Sequence, residues 1–212
     1  MKKKLIALTA AFLLVIGAAV AGTVAWLTDS TQTEVNTFTV GKVNIKLDEA
    51  KANPDGTLVE GAERVKANSY KLLPGHTYNK DPMVTVLSGS ESSYVKMTVT
   101  FSKANELDAI FAPDGANLTS IFNGYDAANW TYKGNTKDAT ANTRTYEFWY
   151  KEAVAAPTAD VALDALFDSI TVPGTITGAQ LATIGGMTIT VNAYAIQADG
   201  FADAEAAWAA FN

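Results

Sequence analysis

The chain has 212 residues and no cysteine, with 48% hydrophobic and 18% charged residues. That balance excludes a disordered polypeptide and supplies enough apolar side chains for one sizeable core. The formal net charge is −6, and loss of Lys2, Lys3 and Lys4 with an N-terminal signal takes it to −9, a surface that repels nucleic acid and anionic membranes. The absence of cysteine removes disulfide stabilisation, thiolate metal sites and thiol catalysis together.

Met1-Lys2-Lys3-Lys4 is a positive n-region, and Leu5 to Val20 is almost purely apolar, the layout of a secretory signal peptide. A membrane anchor is the alternative reading of this stretch, because Leu5 to Ala25 is long enough to span a bilayer. Cleavage after Ala21 and cleavage after Ala25 both satisfy the small-x-small rule. Beyond the junction, apolar residues at Phe38, Val40, Val43, Ile45 and Leu47 predict a first strand, with a bend at Gly41 where the phase breaks. Asn53-Pro54-Asp55-Gly56 is a turn inside a polar surface insertion that runs to about Ala67.

Leu73-Pro74-Gly75 marks a second turn, and Thr77 to Leu87 reads as a strand whose first half Pro82 demotes to an edge or loop. Tyr94 to Phe101 is the clearest strand in the chain. Val95, Met97, Val99 and Phe101 face one way, and Lys96, Thr98 and Thr100 the other. Between Lys103 and Gly124 the apolar spacing changes to threes and fours, predicting two short helices split by Pro113-Asp114-Gly115. Strands return at Asn129 to Lys133 and Thr143 to Lys151, joined by a polar hairpin connection over Gly134 to Asn142. Ala153 to Asp164 reads as loop or helix, Leu166 to Val172 as a strand, and Ala179 to Ile184 as a helical turn. Met187 to Ile196 reads as a buried strand. Phe201, Ala204, Trp208 and Phe211 form the stripe of a short terminal helix, with Asp203 at its start. Seven to eight short strands with helical excursions predict an all-β, two-sheet jelly-roll-like sandwich with short helical insertions and a short C-terminal helix.

Three segments carry a family resemblance. Gly22-Thr23-Val24-Ala25-Trp26 continues into Asn36-Thr37-Phe38-Thr39-Val40-Gly41; Leu73-Pro74-Gly75, Lys80-Asp81-Pro82 and Ser93-Tyr94-Val95-Lys96 follow in that order; and Ala193 to Phe201 leads to Ala207-Trp208. Together they resemble the TasA/camelysin family of exported proteins, most of which are subunits of extracellular matrix fibres. The resemblance implies a signal peptide over residues 1–25 and a single jelly-roll-like domain over 26–212. Within that domain it implies a donor-strand segment at 26–36 that completes the sheet of a neighbouring subunit. It makes Trp26, Leu27, Val35 and Phe38 the candidate subunit-interface residues. The implied partners are further copies of the chain, other matrix proteins, and signal peptidase during export. Nucleic acid and, after maturation, membrane are not expected partners. The implied location is extracellular, in the matrix or at the cell surface of a Gram-positive bacterium.

Catalytic constellations point elsewhere. His76 is the only histidine, whereas a zinc hydrolase needs paired imidazoles reaching one metal from one face. Recruiting Asp81 or Glu91 does not supply the second imidazole. The chain therefore departs from the metalloprotease activity ascribed to camelysin relatives, and no enzyme activity, cofactor or metal is expected. Asp55, Asp114, Asp126, Asp199 and Asp203 lie near Gly or Asn in loops, so calcium is a weaker reading than a solvated acidic surface. A secreted metalloprotease and a monomeric adhesion module remain the alternatives to a fibre subunit.

Intact-mass measurement of the secreted form is expected to start at Trp26. A start at Gly22 would place the cut at the generic site and weaken the family resemblance at the junction.

Overall fold

The computed structural model describes residues 41–111 and 121–211. The proposed signal and the segment 26–36, with Trp26, Leu27, Val35 and Phe38, lie outside the described residues, as does Asp114. The described chain runs β1 (Ile45–Asp48), β2 (Thr77–Asn79), β3 (Met83–Val86), β4 (Ser93–Ser102), α1 (Ala104–Phe111), β5 (Trp130–Asp138), β6 (Thr143–Tyr150), β7 (Val161–Ala162), β8 (Ser169–Thr171), α2 (Gly178–Ile184), β9 (Ile189–Gln197) and α3 (Ala204–Ala210). It is an all-β sandwich with short helices. All strand pairs are antiparallel, in three sheets ordered β5-β6-β4-β9, β1-β3-β7 and β2-β8.

β4 shows why the large sheet forms. Its ten residues alternate strictly between buried and half-buried, as side chains on a pleated strand must when one face meets a core. Val95, Met97 and Val99 are completely buried. Their partners Phe148, Tyr146, Ala195, Ala193 and Val191 lie directly opposite on β6 and β9, so the same face continues across three strands. Val84 and Val86 of β3, Tyr78 of β2 and Phe167 beside β8 belong to the same hydrophobic cluster. The two small sheets therefore cover the inner face of the large one. Phe122 stands at the centre, with ring centroids 4.6 to 5.9 Å from Phe167, Tyr146, Phe148 and Phe101.

Several expectations shift in detail. Thr77 to Leu87 is not one strand: β2 and β3 lie in different sheets, with Pro82 between them. Lacking an N–H, proline cannot continue a ladder, so the chain changes sheets there. The polar stretch from Gly134 is not the hairpin loop. β5 continues through it to Asp138, with a bulge between Tyr132 and Gly134, and the turn occupies only 139–142. Asp138 fixes that turn by accepting from the N–H groups of Thr140 and Ala141 at 2.8 and 2.9 Å. Of the two helices expected between Lys103 and Gly124, the first is α1. Residues 112–120 lie outside the description, and Ile121 and Phe122 are not helical. Residues 153–164 contain no helix; they carry β7 and an isolated bridge from Val154 to Ser93.

The turns are built by local chemistry. Thr177 and Gln180 form a reciprocal capping box at α2, and Asp203 caps α3 by accepting from the N–H of Ala206 at 2.8 Å. These bonds satisfy helix N–H groups that have no intrahelical partner. Gly56 ends the Asn53–Gly56 turn at φ +92°, and a Cβ there would stand 2.5 Å from the carbonyl oxygen of Thr77. Gly56→Ala is expected to destabilise the domain by about 2 kcal/mol or more, combining left-handed strain with that overlap. The measurement is a lowered urea midpoint at unchanged m-value.

Candidate functional site

The site with most to explain is the outer edge of β9. A strand at the margin of a sheet presents a row of backbone groups that can template another chain, and folded proteins usually protect such margins with charge, bulges or brevity. The large sheet has two margins among the described residues, and they differ sharply. β5 carries Lys133, Lys137 and Asp138 and the Tyr132/Gly134 bulge. β9 is nine residues long, holds no charged residue and no proline, and keeps unbroken register against β4 from Ser93 to Phe101. Of the other margins, β7 has only two residues and β1 carries Lys46 and Asp48.

The register also tells which β9 groups face outward. The Ser102 N–H donates to the Thr188 carbonyl at 3.0 Å, and the Ala198 N–H to the Ser92 carbonyl at 2.7 Å. Antiparallel ladders alternate with period two. Thr190, Asn192, Tyr194 and Ile196 therefore spend their backbone groups on β4. Ile189, Val191, Ala193 and Ala195 direct theirs away from it, toward a side with no strand partner among the described residues. The expectation of a buried strand at Met187 to Ile196 is thus corrected. The alternation of Ile189, Val191 and Ala193 was real, but these side chains are only half-buried because the strand is marginal.

β1 lies beside β9 without sharing its sheet, and a recess of about 230 Å³ opens between them. Leu47 of β1 and Ile189 and Val191 of β9 give it apolar walls, while Asp48, Glu49, Lys66 and Lys80 ring it with charge. That charge is organised. Arg64 donates through Nε to Asp48 at 2.5 Å and through Nη1 to Asp81 at 2.7 Å. Lys80 donates to Glu49 at 2.5 Å, and Asn68 donates to Glu49 at 3.0 Å. The Asp48 side chain is 3% exposed. Its burial alone would raise the carboxyl pKa, but hydrogen bonds from Lys46 and Arg64 outweigh that and hold it below the usual range. The polar insertion is thereby tied down: Glu49 and Val65 also exchange backbone bonds at 2.8 Å. The composition of the insertion suggested only a surface loop. What it lacked was any sign that Arg64 would find Asp48 and Asp81, 16 residues back and 17 ahead, or that Asn68 would find Glu49, 19 residues back.

The residues considered for chemistry are placed apart. His76 is exposed in its turn, with Tyr78 the nearest ring at 6.4 Å. Asp81 is held by Arg64 and by the Ala50 N–H at 2.6 Å, and Glu91 is exposed. Asp55 bonds to the backbone and side chain of Thr57, and Asp126 to Ala128 and Asn129. Among the described residues no group of three His, Cys, Asp or Glu side chains is placed to hold a metal, and no helix is long and apolar enough to cross a membrane. No family model matches the chain, and no curated protein or solved structure is similar to it.

Because the Asp48 pKa is lowered by folding, its stabilisation is present above the unfolded value of about 3.9 and is lost as pH falls through the lower folded value. Arg64→Met is expected to cost about 2 kcal/mol at pH 7, since it leaves two buried or half-buried carboxylates short of a charged donor. It should also reduce the further loss of stability between about pH 4 and pH 2. Urea titrations across that range check both.

Proposed function

We propose that the chain is a secreted structural subunit that self-assembles into extracellular fibres of a biofilm matrix, the segment 26–36 of one copy adding as a strand to the next. The observation that carries this reading is the β9 margin: long, uncharged, in unbroken register, and unpartnered on one side among the described residues. β-Augmentation joins chains through main-chain hydrogen bonds, with side-chain pockets selecting the partner. The recess between β1 and β9 is a pocket of that kind. Trp26, Leu27 and Val35 are the large apolar side chains the incoming segment offers. Phe38 lies between that segment and the described domain.

The arrangement of the sequence agrees with this. An apolar export signal precedes the donor segment, so the segment gains a free end only once the signal is removed. A camelysin-type metalloprotease and a monomeric adhesion module have no comparable feature in their favour.

Deleting Trp26 to Val35 is expected to leave a folded monomer that forms no fibres by negative-stain imaging. Ala193→Pro tests the acceptor side, because it removes an outward N–H without touching the β4 ladder. It should also yield a folded monomer, and mixing the two variants should not restore polymerisation. Normal fibres from the deleted chain would reduce the segment to a linker. Normal fibres from Ala193→Pro would move the acceptor away from β9.

A further inference from the structure

A second feature lies at the end of the core where the helices pack, and it shares Lys80 and Ile189 with the recess beside β9. Where α1 and α2 close one end of the sandwich, an apolar cavity of about 90 Å³ remains between them, the end of the large sheet and the β2-β8 pair. Phe101, Leu107, Tyr146, Ile170, Val172 and Ile184 contribute its apolar walls. Three charged residues also line it: Lys80, which is already paired with Glu49, and the two that matter here, Asp108 and Arg144.

These two are joined in an incomplete way. Arg144 donates through Nη2 to Oδ2 of Asp108 at 2.7 Å, and its Nη1 donates to Oδ1 of Asn135 at 2.5 Å. Lys137 donates to the same Oδ2 of Asp108 at 2.8 Å. An arginine–carboxylate pair commonly engages both carboxylate oxygens. Here one prong is made, and both Oδ1 of Asp108 and Nε of Arg144 are buried without a hydrogen-bond partner among the described residues. A buried donor and a buried acceptor thus belong to two directly paired residues of the lining of an apolar space. Leaving both unpaired is unfavourable.

We propose that this cavity is a binding site for a small, mainly apolar molecule bearing one hydroxyl group. A hydroxyl accepts from the Arg144 Nε–H and donates to Asp108 Oδ1, completing both atoms with one group. A carboxylate can only accept and is repelled by Asp108. Burial would raise the Asp108 carboxyl pKa, but hydrogen bonds from Lys137 and Arg144 hold it below the usual range, so it stays ionised. An ammonium can only donate and faces Arg144 and Lys137. The volume is below the roughly 150 Å³ that admits a benzene ring. The ligand is therefore an alcohol of a few carbons, or the hydroxyl-bearing end of a longer apolar molecule.

The test titrates the secreted chain with 1-butanol, with butyrate and with 1-chlorobutane, following the methyl resonances of Leu107, Ile184 and Met187. The expected result is saturable shifts with 1-butanol and at least tenfold weaker binding of the other two. Leu107→Phe and Ile184→Phe, which fill the space, should abolish the shifts while retaining a cooperative thermal transition. Arg144→Lys keeps the charge but removes the Nε–H, and should erase the preference for 1-butanol over 1-chlorobutane. Equal binding of all three probes would overturn the proposal, leaving only an apolar void. So would a lack of saturation, which is the outcome for a pair of atoms bridged by a tightly held water. Unchanged shifts in both filled variants would place the binding elsewhere. If only one filled variant folds, that variant decides.

Discussion

The domain depends on the double pairing of β4, which is hydrogen-bonded along most of its length to β6 on one side and β9 on the other. Without disulfides, cohesion must come from burial and backbone hydrogen bonds, and β4 supplies both at once. Its inward residues anchor the core, and its outward residues set what can cover the opposite face. Lys96 is the clearest case. Its ammonium lies 4.6 Å from the ring of Trp208, 5.1 Å from Phe211 and 5.6 Å from Tyr194, with Glu147 at 3.9 Å. α3 has only seven residues and could not persist alone. Burial of Ala207 and Trp208 against the sheet, together with the caged cation, keeps it in place.

Much of this architecture was legible in the sequence, for reasons that are local. The period-two pattern of Tyr94 to Phe101 and the aromatic run in Thr143 to Lys151 mark strands because burial imposes that period. Asp203 starts a helix because it can accept from otherwise unpaired N–H groups. What was not legible is what neighbours decide. Gly134 to Asn142 looked like a loop because it is polar. A margin strand, though, needs no apolar partner on its outer side, so Asn135 to Asp138 extend the ladder without any hydrophobic signal. The separation of β2 from β3 likewise turns on which sheet each joins, and Pro82 indicates a break without indicating a destination.

The candidate site divides along the same line. Trp26, Leu27, Val35 and Phe38 came from the family resemblance and lie outside the described residues, so the donor half rests on sequence. The proposed acceptor half rests on the β9 margin, which the structure shows. The spacing of Ile189, Val191 and Ala193 reveals one apolar face, and a strand with one apolar face can be central or marginal. Only the register against β4 shows which backbone groups are already committed. A signal was nevertheless present: Met187 to Ile196 is uncharged throughout, whereas β5 is interrupted by lysines and a glycine bulge. Lack of protection on an outer strand was the readable clue, once the strand was known to be outer.

That asymmetry bears on how assembly could be controlled. Two unprotected margins on one sheet would allow copies to pair edge to edge without order, so in the proposed assembly protection of β5 would confine growth to β9. The incoming segment has only three large apolar side chains, and fixing about ten residues of backbone opposes their burial strongly. Main-chain hydrogen bonds narrow that difference without removing it. Stable polymerisation by this route would then require further surface, and the recess beside β1 would be the nearest source of it. Its charged rim can also discriminate. An added strand must present its polar residues to Lys66 and Lys80 and keep its own carboxylates from Asp48 and Glu49. A generic apolar strand would leave those charges desolvated and unmatched. Backbone pairing along β9 would thus supply the directionality of a fibre, and the rim of the recess would determine which strand is accepted.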